Sequence, residues 1–357
     1  MTRPKIGLCL PGGGVTGAMY QIGALSALED VMSPIEAKGF DIYVGASSGA
    51  VVAAALAGGI EVQRLYRALI DPADNYFPLE RSHLIRMDLD EWRRTITTGI
   101  RALGHGARSL ASRAPAPTPK DLWEQLDRFY DSLPAGLFSL DKFERFLEEF
   151  FFRRGVPNSF PAMPKPLRIV AHELDTGARV LFGGEGYTDV LVSRACCASI
   201  ALPLFYSPVR IRDRHYIDGS VGRVPHADVA IAEGASMLVI VNPMVPVRPE
   251  STSAVPTGHG RRASVRDKGL MWVYNQAMRI GAHTRLEDSL ARIPESTPVL
   301  LIEPEPTDAV LFMHNPASFA ARRTILEYAY KTTRERLSRW MEANRETMEK
   351  AGWQPKA

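Results

Sequence analysis

The stretch Asp41-Ile42-Tyr43-Val44-Gly45-Ala46-Ser47-Ser48-Gly49-Ala50 joins an apolar run to Gly-x-Ser-x-Gly and then to a small-residue segment that continues to Ile60. It reads as a strand over Phe40 to Val44, a sharp turn at Ser47 and a helix behind it. A serine on such a turn projects its hydroxyl outward, and flanking glycines, here Gly45 and Gly49, let the backbone fold tightly without side-chain clashes. The helix start offers free backbone N–H groups and the positive end of the helix dipole. Both suit the negative charge that develops on an attacked carbonyl oxygen. Ser47 is therefore the candidate nucleophile. Alone the motif is weak, because small residues also occur wherever a helix packs closely on a strand end.

Upstream, Lys5-Ile6-Gly7-Leu8-Cys9-Leu10 is a short apolar run with the pattern of a buried strand. Pro11-Gly12-Gly13-Gly14-Val15-Thr16-Gly17 follows, and Ala18 to Leu28 reads as a helix. A triple glycine between strand and helix exposes consecutive N–H groups that can wrap an anion. The spacing of Gly12, Gly14 and Gly17 also fits a dinucleotide fingerprint. That reading requires an acidic residue at the end of the second strand. The second strand ends instead in Gly45-Ala46-Ser47, and Asp41 sits at its wrong end. A glycine loop beside a serine is better read as an oxyanion hole beside a nucleophile, with Gly12, Gly13 and Gly14 as donors and the Ser48 N–H as a further one.

Downstream, Tyr216-Ile217-Asp218-Gly219-Ser220 places an aspartate at the end of a β-type segment. Ahead of it lies Ala198-Ser199-Ile200-Ala201-Leu202-Pro203-Leu204-Phe205. Gly12 to Gly17, Gly45 to Gly49, the Ala-Ser-x-Ala-x-Pro-x-x-Phe segment and Asp218-Gly219 stand in the order and approximate spacing of the patatin-like phospholipases. The resemblance covers residues 5 to 242 and is far more specific than any one motif.

This resemblance implies a three-layer α/β/α fold with a mostly parallel central sheet and a helical insertion after the nucleophile helix. It implies a lipid acyl hydrolase of phospholipase A, lysophospholipase or esterase type, with a Ser–Asp dyad, Ser47 as nucleophile and Asp218 as general base. Gly17, Gly45, Gly49 and Gly219 would support the motifs, and neither metal nor cofactor is implied. The steps expected are attack by Ser47, an acyl-enzyme, and release of the fatty acid by water activated at Asp218. An apolar pocket would make Asp218 a better base than a free aspartate. The chain departs from the family at Thr16, where the glycine loop usually carries Arg or Lys. The loop's backbone donors survive this change and the positive charge does not, so headgroup preference is left open. Two alternatives stand beside hydrolysis: an acyltransferase or thioesterase using the same acyl-enzyme, and a non-catalytic lipid-binding protein on this fold.

The chain has eight histidines, and a Ser–Asp–His order could use Ser47, Asp218 and then His226 or His283. The early position of Ser47, with one strand ahead of it, argues against that arrangement. His215 and His226 flank the Asp218 segment and read as surface or supporting residues. No histidine spacing suggests a structural metal.

The chain has 357 residues, with 45% hydrophobic and 23% charged, which is ordinary globular usage. A net charge of +3 is too small to argue for nucleic acid. Cys9, Cys196 and Cys197 make no disulfide framework and sit in apolar stretches, as buried thiols do. No apolar run approaches the roughly 20 residues of a membrane span. The N-terminal apolar stretch merges into the glycine loop, so no signal peptide is expected. These features lead to the expectation of a cytoplasmic protein, free or peripheral to a membrane.

Strand-like patterns recur at Leu167 to Ala171, Arg179 to Phe182, Tyr216 to Asp218, Met237 to Val241 and Val299 to Ile302. With the helices between them they specify an α/β fold. We expect a catalytic domain over 5–305 and a packing helical segment over 306–357, opened by the Asn315-Pro316 cap. Within the former, 61–165 is a helical insertion, read either as a subdomain with an aromatic core or as a lid or membrane-contacting face. Leu122, Trp123, Leu126, Phe129 and Tyr130 repeat at helical spacing, as do Phe143, Phe146, Leu147 and Phe150 between a cap at Ser139 and a stop at Gly155. Residues 81–120 carry eight basic residues against three acidic ones and contain the Arg113 to Pro119 loop. Residues 247–267 read as a long loop.

Overall fold

The computed structural model describes residues 4–87 except 34 and 72, residues 133–248, and most of residues 262–356. Most of 88–132, much of 249–261, and 315–319 lie outside the described residues. So do the Leu122–Tyr130 repeat, the Arg113–Pro119 loop, most of the basic stretch and the Asn315-Pro316 cap.

An eight-stranded sheet organises the chain. Its strands are β1 (Ile6–Leu10), β2 (Ile42–Ala46), β3 (Leu167–Glu173), β4 (Arg179–Phe182), β5 (Val209–Ile211), β6 (Arg214–Asp218), β7 (Met237–Val241) and β8 (Val299–Ile302). The spatial order is β8-β7-β1-β2-β3-β6-β5, with β4 also paired to β3. The pairs from β8 to β3 are parallel, while β3 pairs antiparallel with both β4 and β6.

β1, β2 and β7 are buried along their whole length. Their near-continuous apolar composition is what a strand covered on both faces requires. Alternate residues then go to opposite faces. Leu8, Leu10, Tyr43, Val239 and Val241 enter one core, while Cys9, Ile42, Val44 and Ile240 enter the other. Helices α1 (Gly14–Val31), α2 (Ser48–Ala57) and α3 (Val62–Ile70) cover the first face. They are joined there by α4 (Asp141–Arg154), α5 (Val192–Ile200) and α8 (Arg322–Ala343). α6 (Ala227–Ala232) covers the second, and α7 (Leu270–Leu290) reaches it at its final residue. The result is α/β with a mostly parallel sheet, as the sequence pattern specifies, in the three layers that the resemblance implies.

Several boundaries differ from the sequence reading. β2 runs to Ala46, because Gly45 and Ala46 are still paired to β3. α1 begins at Gly14, so the last glycine of the triple already belongs to the helix. α4 begins at Asp141, after Leu140, and Ser139 contributes its Oγ as acceptor for the Asp141 N–H at 3.2 Å. Gly155 ends the helix with φ 68°, the left-handed stop expected of it. The 247–267 loop holds a two-residue antiparallel ladder, Val255–Pro256 with Arg262–Ala263. α8 packs along α1, and Phe146 and Phe150 pack edge-on against Phe77. All three cysteines are buried thiols.

Candidate active site

Sheet register brings the site together. Ala46 pairs with Val170 on β3, and the next β3 residue, Ala171, pairs with Asp218. Ser47 follows Ala46, so it reaches the level of Asp218 one strand away. β6 runs against β3 and terminates at that level, which turns its last side chain toward the strand-to-helix turn. β1 lies on the other side of β2 and delivers Gly12 just beyond Leu10.

The turn itself is strained. Ser47 has φ 52° and ψ −132°, outside the regions that suit an L-residue. Such a residue costs roughly 1–3 kcal/mol and persists only where its surroundings fix it. The fixing contacts are present: the Ser47 N–H donates to Ser199 Oγ at 2.8 Å, and Ser199 Oγ donates to the Val170 carbonyl at 2.5 Å. Gly49 admits α2 against β1, since a Cβ there would lie 2.0 Å from the Leu10 carbonyl oxygen.

Ser47 Oγ donates to Asp218 Oδ2 at 2.6 Å. The other carboxylate oxygen, Oδ1, accepts the Ser220 N–H at 2.7 Å. Asp218 is 2% exposed. Burial pushes its carboxyl up from 3.8 to about 6, against the opposing pull of the Ser47 and Ser220 hydrogen bonds. Gly219 follows, and its carbonyl lies 3.2 Å from His226 Nε2. His226 is fully buried, which holds its imidazole neutral with a pKa lowered to about 3. His172 meets the Asp218 backbone carbonyl at 3.4 Å, and His283 pairs with Glu287 at 3.3 Å on α7. His215 is exposed. Among the described residues no imidazole touches the Asp218 carboxylate, so the Ser–Asp–His alternative has no support in this geometry.

The glycine loop lies against this pair. A Cβ on Gly12 would sit 2.4 Å from Ser47 Cβ, so only glycine fits. The Gly12 N–H donates to Ser220 Oγ at 3.2 Å. The N–H groups of Gly13 and Gly14 meet no protein acceptor among the described residues. Gly17 closes the first turn by donating to the Gly13 carbonyl at 3.0 Å. Thr16 is fully buried and donates to the same carbonyl at 3.4 Å. Ser48, the first residue of α2, has a buried hydroxyl with no partner among the described residues. Gly45 remains inside β2.

Ser47 and Asp218 open into a cavity of about 230 Å³. Its walls are apolar side chains of α1, α2, α3 and α7, joined by Phe77, Phe143 and Phe205. Three contributors escaped sequence reasoning. Ser199, inside the Ala-Ser-x-Ala segment, links the Ser47 N–H to the Val170 carbonyl. Ser220 ties the glycine loop to Asp218. α7, which carries Met271, Trp272, Tyr274, Met278 and Arg279 into the cavity wall, has no motif to announce it. Its one sequence signal is an apolar-rich start, Leu270-Met271-Trp272-Val273-Tyr274.

The arrangement can hold an acyl ester with its carbonyl between an activated hydroxyl and open N–H groups. The patatin-like phospholipase family matches residues 8–231, more than half of the chain. This chain belongs to that family. The solved structures it is similar to are related at low identity. VipD from Legionella pneumophila is 14% identical, with 94% of this chain and 66% of that one covered and a TM-score of 0.38. ExoU from Pseudomonas aeruginosa, solved in complex with SpcU, is 17% identical over 81% of this chain and 53% of that one, with a TM-score of 0.31. Human GIVD cytosolic phospholipase A2 is 13% identical over 98% of this chain and 60% of that one, at 0.34. The chain spans less than two thirds of the length of each of these proteins. No curated protein matches it significantly. Among the described residues no helix is long and apolar enough to cross a membrane, and no group of three or more side chains could hold a metal ion.

Proposed function

We propose that this protein is a lipid acyl hydrolase that cleaves fatty acyl esters through a Ser47 acyl-enzyme, with Asp218 as the general base. The observation that carries this reading is the 2.6 Å hydrogen bond from Ser47 Oγ to a buried Asp218 at the mouth of an apolar cavity. Family membership supports the lipid class of substrate.

In this mechanism Ser47 Oγ attacks the ester carbonyl carbon while its proton passes to Asp218 Oδ2. The oxyanion forms against the open N–H groups of Gly13 and Gly14, with the Ser48 N–H at the start of α2 as a further donor. Gly12 holds the loop in register through Ser220. Collapse of the tetrahedral intermediate expels the alcohol, which takes the proton back from Asp218. A water then gives a proton to Asp218 and attacks the acyl-enzyme, and Asp218 returns that proton to Ser47 Oγ as the fatty acid leaves. Burial suits Asp218 to both roles, because a carboxyl near 6 is a stronger base than a solvated aspartate and is still mostly ionised at pH 7. The apolar wall accounts for a fatty acyl chain rather than a polar acid.

The test is hydrolysis of p-nitrophenyl esters of rising chain length by wild type, Ser47→Ala and Asp218→Asn. We expect activity in wild type and loss of at least about a thousandfold in both variants. Activity that survives both substitutions would refute the assignment.

A further inference from the structure

Apart from Asp218, the residues lining the cavity include one charged side chain, Arg279 of α7. It is 2% exposed. Its Nε donates to Asn275 Oδ1 at 2.8 Å, one turn earlier on the helix. Its Nη1 donates to the Pro243 and Val245 carbonyls at 2.9 and 3.0 Å. Nη2 meets no acceptor among the described residues. Among the described residues no carboxylate lies within ion-pair distance of the guanidinium. Burial alone acts on its ionisation, holding it below the usual guanidinium range at about 10, so the group is still cationic at neutral pH.

A buried cation without an anion is costly. The two carbonyls and Asn275 satisfy part of its donors but leave its charge without a counter-ion among the described residues. What this placement provides is a positive charge with one face anchored and one terminal nitrogen free at a cavity wall. Among the described residues no other cation lines the cavity: α1 contains no Lys or Arg, and Thr16 in its first turn is neutral and buried. The Asp218 carboxyl answers to burial, Ser47 and Ser220, and Arg279 is not among the groups that act on it.

We propose that Arg279 forms an anion subsite of this cavity and that the anion it takes is the phosphodiester of a glycerophospholipid. This rests on the acyl-hydrolase reading for the presence of a lipid in the cavity. The guanidinium supplies a charge-assisted hydrogen bond from Nη2 to a phosphate oxygen, while Asn275 and the Pro243 and Val245 carbonyls keep its plane fixed. Preference for phospholipids over uncharged glycerides follows from it. The same anchor has a structural side, because the Pro243 ring lies against Gly13 and Gly17, where a Cβ would meet it at 2.7 and 3.1 Å.

The experiment is a binding comparison in the Ser47→Ala protein, so that turnover plays no part. Two non-hydrolysable ether lipids of one short alkyl chain are titrated below their micellar concentrations. One carries a phosphocholine headgroup and the other is the uncharged alkylglycerol. With Arg279 present the phosphate-bearing ether should bind about 10- to 100-fold more tightly, the worth of one charge-assisted hydrogen bond. Arg279→Met should erase that ratio and Arg279→Lys should keep part of it. Equal affinity for the two ethers with Arg279 intact overturns the proposal, whether or not the variants fold. So does a Met variant that weakens both ethers alike and keeps the ratio, because that is the mark of a purely structural arginine. Inorganic phosphate binding as tightly as the phosphate-bearing ether would assign the subsite to a free anion and overturn the lipid assignment. Failure of the Ser47 assignment in the ester assay leaves the ratio unaffected, so the two readings fail separately.

Discussion

Asp218→Asn should make the protein more stable while making it inactive, and the gain should depend on pH. In the folded chain the Asp218 carboxyl titrates near 6, against an ordinary value of 3.8, because burial disfavours its charged form. Between those values the folded state binds more protons than the unfolded chain, so stability falls as pH rises. The penalty is absent well below pH 4 and complete above about pH 7. Its full size is the difference in pKa at about 1.4 kcal/mol per unit, or about 3 kcal/mol. At pH 5 about half remains, and at pH 4 about a fifth. Asparagine keeps the shape and removes the charge, at the loss of the charge-assisted character of the Ser47 contact. The net gain at pH 8 should be about 1–3 kcal/mol, a rise in melting temperature of roughly 1–4 °C for a chain of this length. The assay is thermal unfolding of both proteins between pH 4 and pH 8. Activity has the opposite dependence, since the base must be ionised. Wild-type kcat/KM should rise with pH through an apparent pKa near 6, and fall about tenfold per unit on the acid side. A gap in melting temperature that does not grow with pH, or an asparagine variant less stable at pH 8, would refute the claim that Asp218 is a buried charge held against its solvation.

Two further substitutions probe how the turn is held. Ser199→Ala removes the acceptor of the Ser47 N–H and the donor to the Val170 carbonyl, so two buried groups lose their partner. Stability in urea should drop by about 2–4 kcal/mol and kcat by at least about tenfold, with KM little changed. Gly12→Ala places a methyl 2.4 Å from Ser47 Cβ, so the glycine loop or the serine must move. Ester hydrolysis should fall by more than about a hundredfold while circular dichroism stays native, and wild-type kinetics in that variant would contradict the close approach of loop and nucleophile.

The parts of this molecule legible in its sequence are those governed by neighbours in the chain. Gly45 to Gly49 must turn sharply between an apolar strand and a small-residue helix, and that requirement is written in five consecutive residues. The glycine loop and the strands Met237–Val241 and Val299–Ile302 are legible for the same reason. What brings Asp218 to Ser47 is different in kind. It depends on Ala46 pairing with Val170 and Ala171 with Asp218, and no local pattern states that β6 runs against β3 and stops there. Resemblance to a known family filled that gap before the structure did. Neither route reached α7. Its buried residues, Asn275, Arg279, Ala282 and Leu286, keep helical spacing, but two of the four are polar, so no apolar stripe marks the inward face. Those polar positions are where the helix meets the segment after β7 and the cavity. An interior face that carries an arginine looks, in sequence, like a solvated one. The residues proposed to attack an ester can therefore be read from turns and glycines, whereas the residue proposed to choose its headgroup is hidden by the very charge that would let it choose.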